Sequence, residues 1–478
     1  MSETRYSAGL RVAGSLTLAA LLSGCAALGF GSMSVPSDAP RVIGPERPRD
    51  QDHERLVAAF GGEAKAPQMQ RRLNDIVNRL VMATDRPDES YQVTILNSPV
   101  VNAFALPNGR LYVTRGLLAL ANDTSEVAAV LSHEIAHVTL RHASQRNELQ
   151  ARSTLIKRVT ENVLNDAEQA AVEQSEARSN LANFSRAQEL EADQTGVRVL
   201  ARAGFDPYGA PRFLTALGRS GTGSKDNAGA DMMASHPSTN DRISQALQAA
   251  KRAGQPGMGE ATRSDYLASL DGIAFGDDPA DGVVKGRRFT HARLGVAFEA
   301  PEGFSLENTS QAVLGASQDG SRRLLFDAAN TPSGQSLEEV LRSTWTDTIE
   351  PGSLETTTIN GLPVATATSV GKEWSFRLSA IRIGSTTYRL IMATRSGGGD
   401  LEGMFQRTLD TVRQVKRDEA RQVRPLKLQV VTAQEGDTAQ RLADRMPVDR
   451  ALDRFLLLNG LDRNAPLKPG ERYKIIVE

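Results

Sequence analysis

The chain has 478 residues, with 56 Lys and Arg against 57 Asp and Glu and a formal net charge of −1. A pI near 6.6 leaves no basic footprint, which argues against nucleic acid as a partner. At about 150 residues per domain the length suggests about three domains. The single Cys excludes an intramolecular disulfide.

Arg5 and Arg11 precede an apolar stretch from Val12 to Leu22, which is signal-peptide length and too short to span a bilayer. It ends in Leu22-Ser23-Gly24-Cys25, which resembles the bacterial lipobox. Lipidation of Cys25 after cleavage would account for an isolated thiol in an exported protein; the alternative is an ordinary secretory signal with a chance Cys. Residues 1–24 are thus expected to be a lipoprotein signal peptide, and 25–50, rich in Gly, Ser and Pro, a flexible tether. Ala26, by resemblance to enterobacterial sorting rules, favours the outer membrane.

Residues 51–253 read as one domain. A helix is expected near Met69–Met82, with Leu73, Ile76, Val77 and Leu80 on one face, and Tyr91–Leu96 alternates like a strand. Asn102–Ala105 and Arg110–Thr114 read as a hairpin turned by Pro107-Asn108-Gly109. A helix from Glu126 to about Gln150 follows, opened by the capping-box pattern Asp123-Thr124-Ser125-Glu126.

That helix carries His133-Glu134-Ile135-Ala136-His137. Positions i and i+4 share a helix face, so His133 and His137 can point two ring nitrogens at one ion, with Glu134 able to reach a water on it. A zinc site needs a third ligand. Glu189 and Asp193, four apart on a later helix ending near Gly204, share a face. Glu189 can close a His₂Glu site with one position open, and Asp193 can accept the second ring N–H of His133. His142, five residues past His137, is expected to face elsewhere and to be structural, while His53 and His291 have no supporting context. Residues 144–180 are helical but polar, either a lid or a surface helical pair. Residues 219–231 form a Gly-, Ser- and Asn-rich loop leading to His236-Pro237.

The HEIAH motif, Glu189 to Asp193 within SRAQELEAD, Ser235–Ile243 (SHPSTNDRI) and Asn102–Ala105 together resemble the HtpX/BepA-like gluzincin zinc metallopeptidases, related to the CAAX prenyl proteases. The resemblance covers roughly residues 50–250. It implies one Zn²⁺ per chain on His133, His137 and Glu189, with Glu134 as general base. It also implies a strand beside the cleft that pairs with substrate backbone. His236 would either stabilise the oxyanion or occupy the open zinc position and hold the enzyme shut. Arg242 would pair with the substrate's developing charge or brace Asp241 and nearby acids. Without membrane-spanning helices around the motif, the chain is similar to the periplasm-facing branch.

Gly254–Gly259 and Gly276–Pro279 flank a short helical piece, and 254–285 is an expected linker. Residues 286–416 alternate as strands around helices at Leu337–Thr346 and Leu401–Val412, an α+β domain with an antiparallel sheet, for binding or spacing. Its Ala-Pro-Glu-Gly-Phe-Ser run loosely resembles PsbP-like domains. Residues 425–478, with Gly436-Asp437-Thr438, Asn459-Gly460-Leu461 and Leu467–Glu471, resemble a βααβ LysM module, which binds N-acetylglucosamine-containing glycans such as peptidoglycan or is purely structural. The expected fold class is multidomain α+β: a mainly helical zincin-type domain with a small edge sheet, then the antiparallel-sheet domain, then the LysM-like module. The expected function is that of a lipid-anchored periplasmic zinc endopeptidase acting on misfolded or stalled envelope proteins. The alternatives are a non-enzymatic or chaperone-like envelope lipoprotein that binds peptidoglycan through its tail.

Overall fold

The computed structural model describes residues 48–150, 167–223, 236, 239–329, 334–345, 348–395 and 399–478. The expected signal peptide, Cys25 and nearly all of the tether lie outside the described residues, as do the middle of the polar stretch 144–180 and most of the 219–231 loop. The described chain is mixed α and β in two compact units. One holds residues 48–295, 305–311 and 415–478, the other 296–304 and 312–414. Among the described residues no helix is long and apolar enough to cross a membrane.

The first unit opens with α1 (Pro48–Ala59) and α2 (Pro67–Met82), and the stripe Leu73, Ile76, Val77, Leu80 of α2 is buried. Strands β1 (Gln92–Leu96), β2 (Ala103–Ala105) and β3 (Arg110–Thr114) make a sheet in the order β1-β3-β2, with β1 parallel and β2 antiparallel to β3. The β2–β3 turn needs glycine at Gly109: φ is +83°, and a Cβ would sit 2.2 Å from the Ser90 carbonyl oxygen. Among the described residues β2 is an edge strand, paired only with β3.

Helix α3 (Arg115–Leu120) leads to α4 (Thr124–Thr139), the central helix, whose residues are buried from Thr124 through His137. Asp123 caps α4 by accepting from the Glu126 N–H at 2.9 Å, and the Glu126 carboxylate reaches back to accept from the Asn122 N–H at 2.8 Å. The expected continuous helix to Gln150 is interrupted. Leu140 caps the end of α4, Arg141 takes φ +58°, and a separate helix runs over 142–150. Helices α5 (Ala167–Arg202) and α6 (Gly209–Gly223) pack on α4, and α7 (Asn240–Ala253) packs on α5 and α6.

Residues 254–285 carry the short helix expected between their Gly- and Pro-bearing ends. They contain α8 (Arg263–Leu270), with Tyr266, Leu267 and Leu270 fully buried, and β4 (Ala274–Phe275). Tyr266 donates its hydroxyl to the Leu118 carbonyl at 2.7 Å. The last stretch runs β5 (Leu426–Thr432), α9 (Ala439–Ala443), α10 (Ala451–Asn459) and β6 (Arg472–Val477). β5 pairs antiparallel with both β6 and β4. Its apolar residues Leu428, Phe455 and Ile475 belong to one continuous core with Leu117, Leu118 and Tyr266, so 425–478 is built into the unit that holds the histidine helix. Lys474 is fully buried, and its ammonium donates to the carbonyls of Ala119 and Ala121 at 2.7 Å each, at the end of α3.

The second unit is an antiparallel sheet. Its strands lie in the order Glu355–Ile359, Leu362–Val370, Trp374–Ile383, Thr386–Arg395, Arg322–Ala329, Ala312–Ser317. A helix at Leu337–Thr344, capped by a Ser336/Glu339 capping box, lays Val340 and Leu341 against Ala365, Ala367 and Leu378.

Candidate metal centre

Residues His133 and His137, one turn apart on α4, bring their Nε2 atoms to 3.0 Å of each other. Glu189 on α5 places Oε2 3.4 Å from His133 Nε2 and Oε1 3.4 Å from His137 Nε2. The two helices can approach because Gly196, two turns beyond Glu189, lies against the motif: a Cβ there would be 3.1 Å from the His133 backbone nitrogen. His236, ahead of α7, completes the group, with Nδ1 2.9 Å from Glu189 Oε2 and 3.3 Å from His133 Nε2.

These separations can be compared with what zinc requires. Ligand atoms at about 2.0–2.1 Å from a tetrahedral ion lie about 3.3 Å from one another. Ligand atoms of His133, His137, Glu189 and His236 all lie within 4.8 Å of one another. Two imidazoles and a carboxylate, all less than a tenth exposed, are also a donor set suited to Zn²⁺. The residues fit the ion.

Glu134 lies one residue along α4, 3 % exposed, with Oε1 3.7 Å from His236 Nε2 and no hydrogen-bond partner on that oxygen. Burial pushes its carboxyl pKa upward, against the lowering charges of His236 and His133. Glu189 shows the opposite balance: burial alone would raise it, but His236 and His133 hold it far below the usual carboxylate range.

Asp193, one turn beyond Glu189, puts Oδ1 3.0 Å from His133 Nδ1, off the straight line of an ideal hydrogen bond. Burial of His133 disfavours its charged form, yet Asp193 and Glu189 outweigh this and raise its pKa to about 10 in the metal-free site. His137, with less carboxylate contact, is held well below the ordinary histidine value, by burial first and then by the His133 and His236 charges.

Arg242 lies among the acids of the centre. The expectation was that it would meet the substrate's developing charge or brace Asp241 and nearby acids. Its Nε and Nη2 donate to Asp193 Oδ2 and Oδ1 at 2.7 Å each, and Nη1 lies 3.0 Å from Glu189 Oε2. All three guanidinium nitrogens face these carboxylates and the residue is 5 % exposed, which is the expected bracing of nearby acids, on Asp193 and Glu189 in place of Asp241. Asp241 instead accepts from Gln245. The local sequence explains the placement: Thr239 caps α7 by accepting from the Arg242 N–H at 3.1 Å, which sets Arg242 in the first turn.

His142 is the residue that helical spacing missed. It is fully buried with Nδ1 2.9 Å from Nδ1 of His137, because the break at Arg141 turns it back. His53 donates to or accepts from the Tyr112 hydroxyl at 2.9 Å, and His291 accepts from the Leu294 N–H at 3.3 Å; neither reaches the cluster.

Residues 67–250 match the model of peptidase family M48. A beta-barrel assembly-enhancing protease of Yersinia pestis is 32% identical over 213 residues, covering 42% of each chain. The mitochondrial metalloendopeptidase OMA1 of Arabidopsis thaliana is 35% identical over 161 residues, covering 34% of this chain and 32% of the relative. The beta-barrel assembly-enhancing protease of Escherichia coli K12 is 29% identical over 211 residues, 42% and 43% of the two chains. The chain thus spans less than half the length of these relatives. The match and the grouped histidines and glutamate lead to one conclusion: residues 67–250 are a zinc metallopeptidase domain of family M48.

Proposed function

We propose that the whole protein is a lipid-anchored periplasmic zinc endopeptidase that cleaves misfolded or stalled envelope proteins. The observation that carries the reading is the spacing of the His133, His137 and Glu189 donor atoms, with the Glu134 carboxylate beside them. Zinc held there would supply a Lewis acid and bring the pKa of water toward neutrality. Glu134 takes a proton from the attacking water as its oxygen bonds to the peptide carbonyl carbon. It then gives that proton to the amide nitrogen as the C–N bond breaks. Burial, which raises the Glu134 pKa, suits a group that must hold the proton between these steps. Asp193 and Arg242 keep His133 and Glu189 oriented.

His236 acts as a plug: with Nδ1 among the donors it fills the position the reaction needs open. Displaced, the same ring could face the oxyanion. The unpaired edge of β2 suits an extended substrate, because main-chain pairing is indifferent to side-chain identity. Unfolded envelope proteins expose such strands, and the names of the assembly-enhancing relatives point the same way. Cys25 carries the lipid, favouring the outer membrane, and the 425–478 tail contacts peptidoglycan.

The test is metal content of the purified protein together with cleavage of casein by the parent and by Glu134→Gln. Stoichiometric zinc in both, with cleavage only by the parent, is the expected result. A parent free of zinc, or a fully active Glu134→Gln, ends this reading.

A further inference from the structure

The two ligand-type histidines are supported differently. His133 turns its second nitrogen to a carboxylate, Asp193 at 3.0 Å, which Arg242 holds. His137 turns its second nitrogen to another imidazole, Nδ1 of His142 at 2.9 Å, with the rings edge to face at 78°. His142 Nε2 lies 3.4 Å from Glu191 Oε2 on α5. Gln188, on the turn before, donates to the His142 carbonyl at 3.2 Å and to Gln145 Oε1 at 3.0 Å, pinning this segment.

The backbone is bent to make the contact. On an unbroken helix, five residues is about 140° of rotation away, out of reach. Arg141 instead adopts φ +58°, a conformation that disfavours a residue with a Cβ, and His142 starts a new helix facing back at His137.

We propose that His142 is a positioning residue for the metal centre: it accepts the Nδ1–H of His137 on its own Nδ1 and turns its Nε2–H toward the Glu191 carboxylate, which lies beyond an ideal hydrogen bond. The inference rests on the zinc reading above. Two neutral imidazoles meeting Nδ1 to Nδ1 share one proton between those atoms. With the proton on His137, its Nε2 lone pair faces the donor cluster. With the proton on His142, the His137 Nε2 carries hydrogen and cannot bind an ion, while the bare Nε2 of His142 faces the Glu191 carboxylate. Glu191 therefore selects the arrangement in which His137 is a ligand.

The experiment is competition for Zn²⁺ against a chromophoric chelator, using the intact protein and three variants, with the visible spectrum of Co²⁺-substituted protein as second readout. His142→Phe keeps ring volume but has no acceptor, and should weaken zinc binding about 10–100-fold and shift the Co²⁺ bands. His142→Asn restores an acceptor near the Nδ1 position and should stay within about threefold of the parent with unshifted bands. Glu191→Leu, at a side chain 59 % exposed, should weaken binding several-fold and keeps the test alive if His142→Phe does not fold. Unchanged affinity in His142→Phe or in Glu191→Leu, or equal loss in the Phe and Asn variants, overturns the proposal. A parent that binds no zinc overturns the zinc reading itself.

Discussion

Replacing Arg242 with methionine separates the two roles an arginine near a peptidase centre can have. The guanidinium makes two bonds of 2.7 Å to Asp193 and a third contact of 3.0 Å to Glu189. Arg242, Asp193 and Glu189 are all less than a tenth exposed. Methionine fills most of the volume but takes the guanidinium from two buried carboxylates, leaving them only the neighbouring imidazoles, and breaking such a buried pair costs about 3–5 kcal/mol. For a unit of this size each kcal/mol moves the melting temperature by about 2–4 °C, so the metal-free variant should melt about 10 °C below the parent. Zinc supplies positive charge to Glu189 directly, so the deficit should shrink when the metal is present. Thermal unfolding in chelator and in zinc, with kcat and KM for the same samples, measures both. An Arg242→Met protein that melts with the parent in chelator while kcat falls about 100-fold would refute the bracing role and put the arginine on the transition state.

Other outcomes follow from the same geometry. Glu134→Gln should lower kcat by about 10²–10⁴ while keeping its zinc, read by proteolysis and metal analysis. Glu189→Ala removes a donor shared by both histidines and should abolish stoichiometric zinc in a purified sample. His236→Ala should cleave casein faster than the parent if the ring plugs the centre; slower cleavage would assign it to the oxyanion. Deleting 425–478 strips Leu428, Phe455 and Ile475 from the shared core, so the shortened protein should lose cooperative unfolding and activity together. A soluble, active remnant would show that the tail is a separable module.

Parts of this centre were legible because they rest on local periodicity. The i, i+4 spacing placed His133 with His137 and Glu189 with Asp193 on common faces, and the structure brings the two pairs together. His142 was not legible. Leu140-Arg141-His142 contains neither Gly nor Pro, and a left-handed arginine leaves no compositional mark, so an uninterrupted helix was the natural expectation. Arg242 was found, but its orientation follows from a threonine cap and a distant aspartate, which spacing cannot relate. The third strand beside the tail was hidden for a similar reason. Alternating apolar residues in Leu426–Thr432 and Arg472–Val477 announce strands, but not that β4, from a segment rich in turn residues, is their third partner.

The buried Lys474 has a consequence for the order in which this unit can close. All the zinc-centre residues, from His133 to Arg242, leave the ribosome long before Lys474, yet the carbonyls just ahead of α4 are bonded by that lysine and the core is closed by its neighbours. Domains fold as units once their chain is available. A copy cut short before β6 would leave the Ala119 and Ala121 carbonyls and this shared core open, so the unit that holds the histidine cluster should close only once its last strand is present.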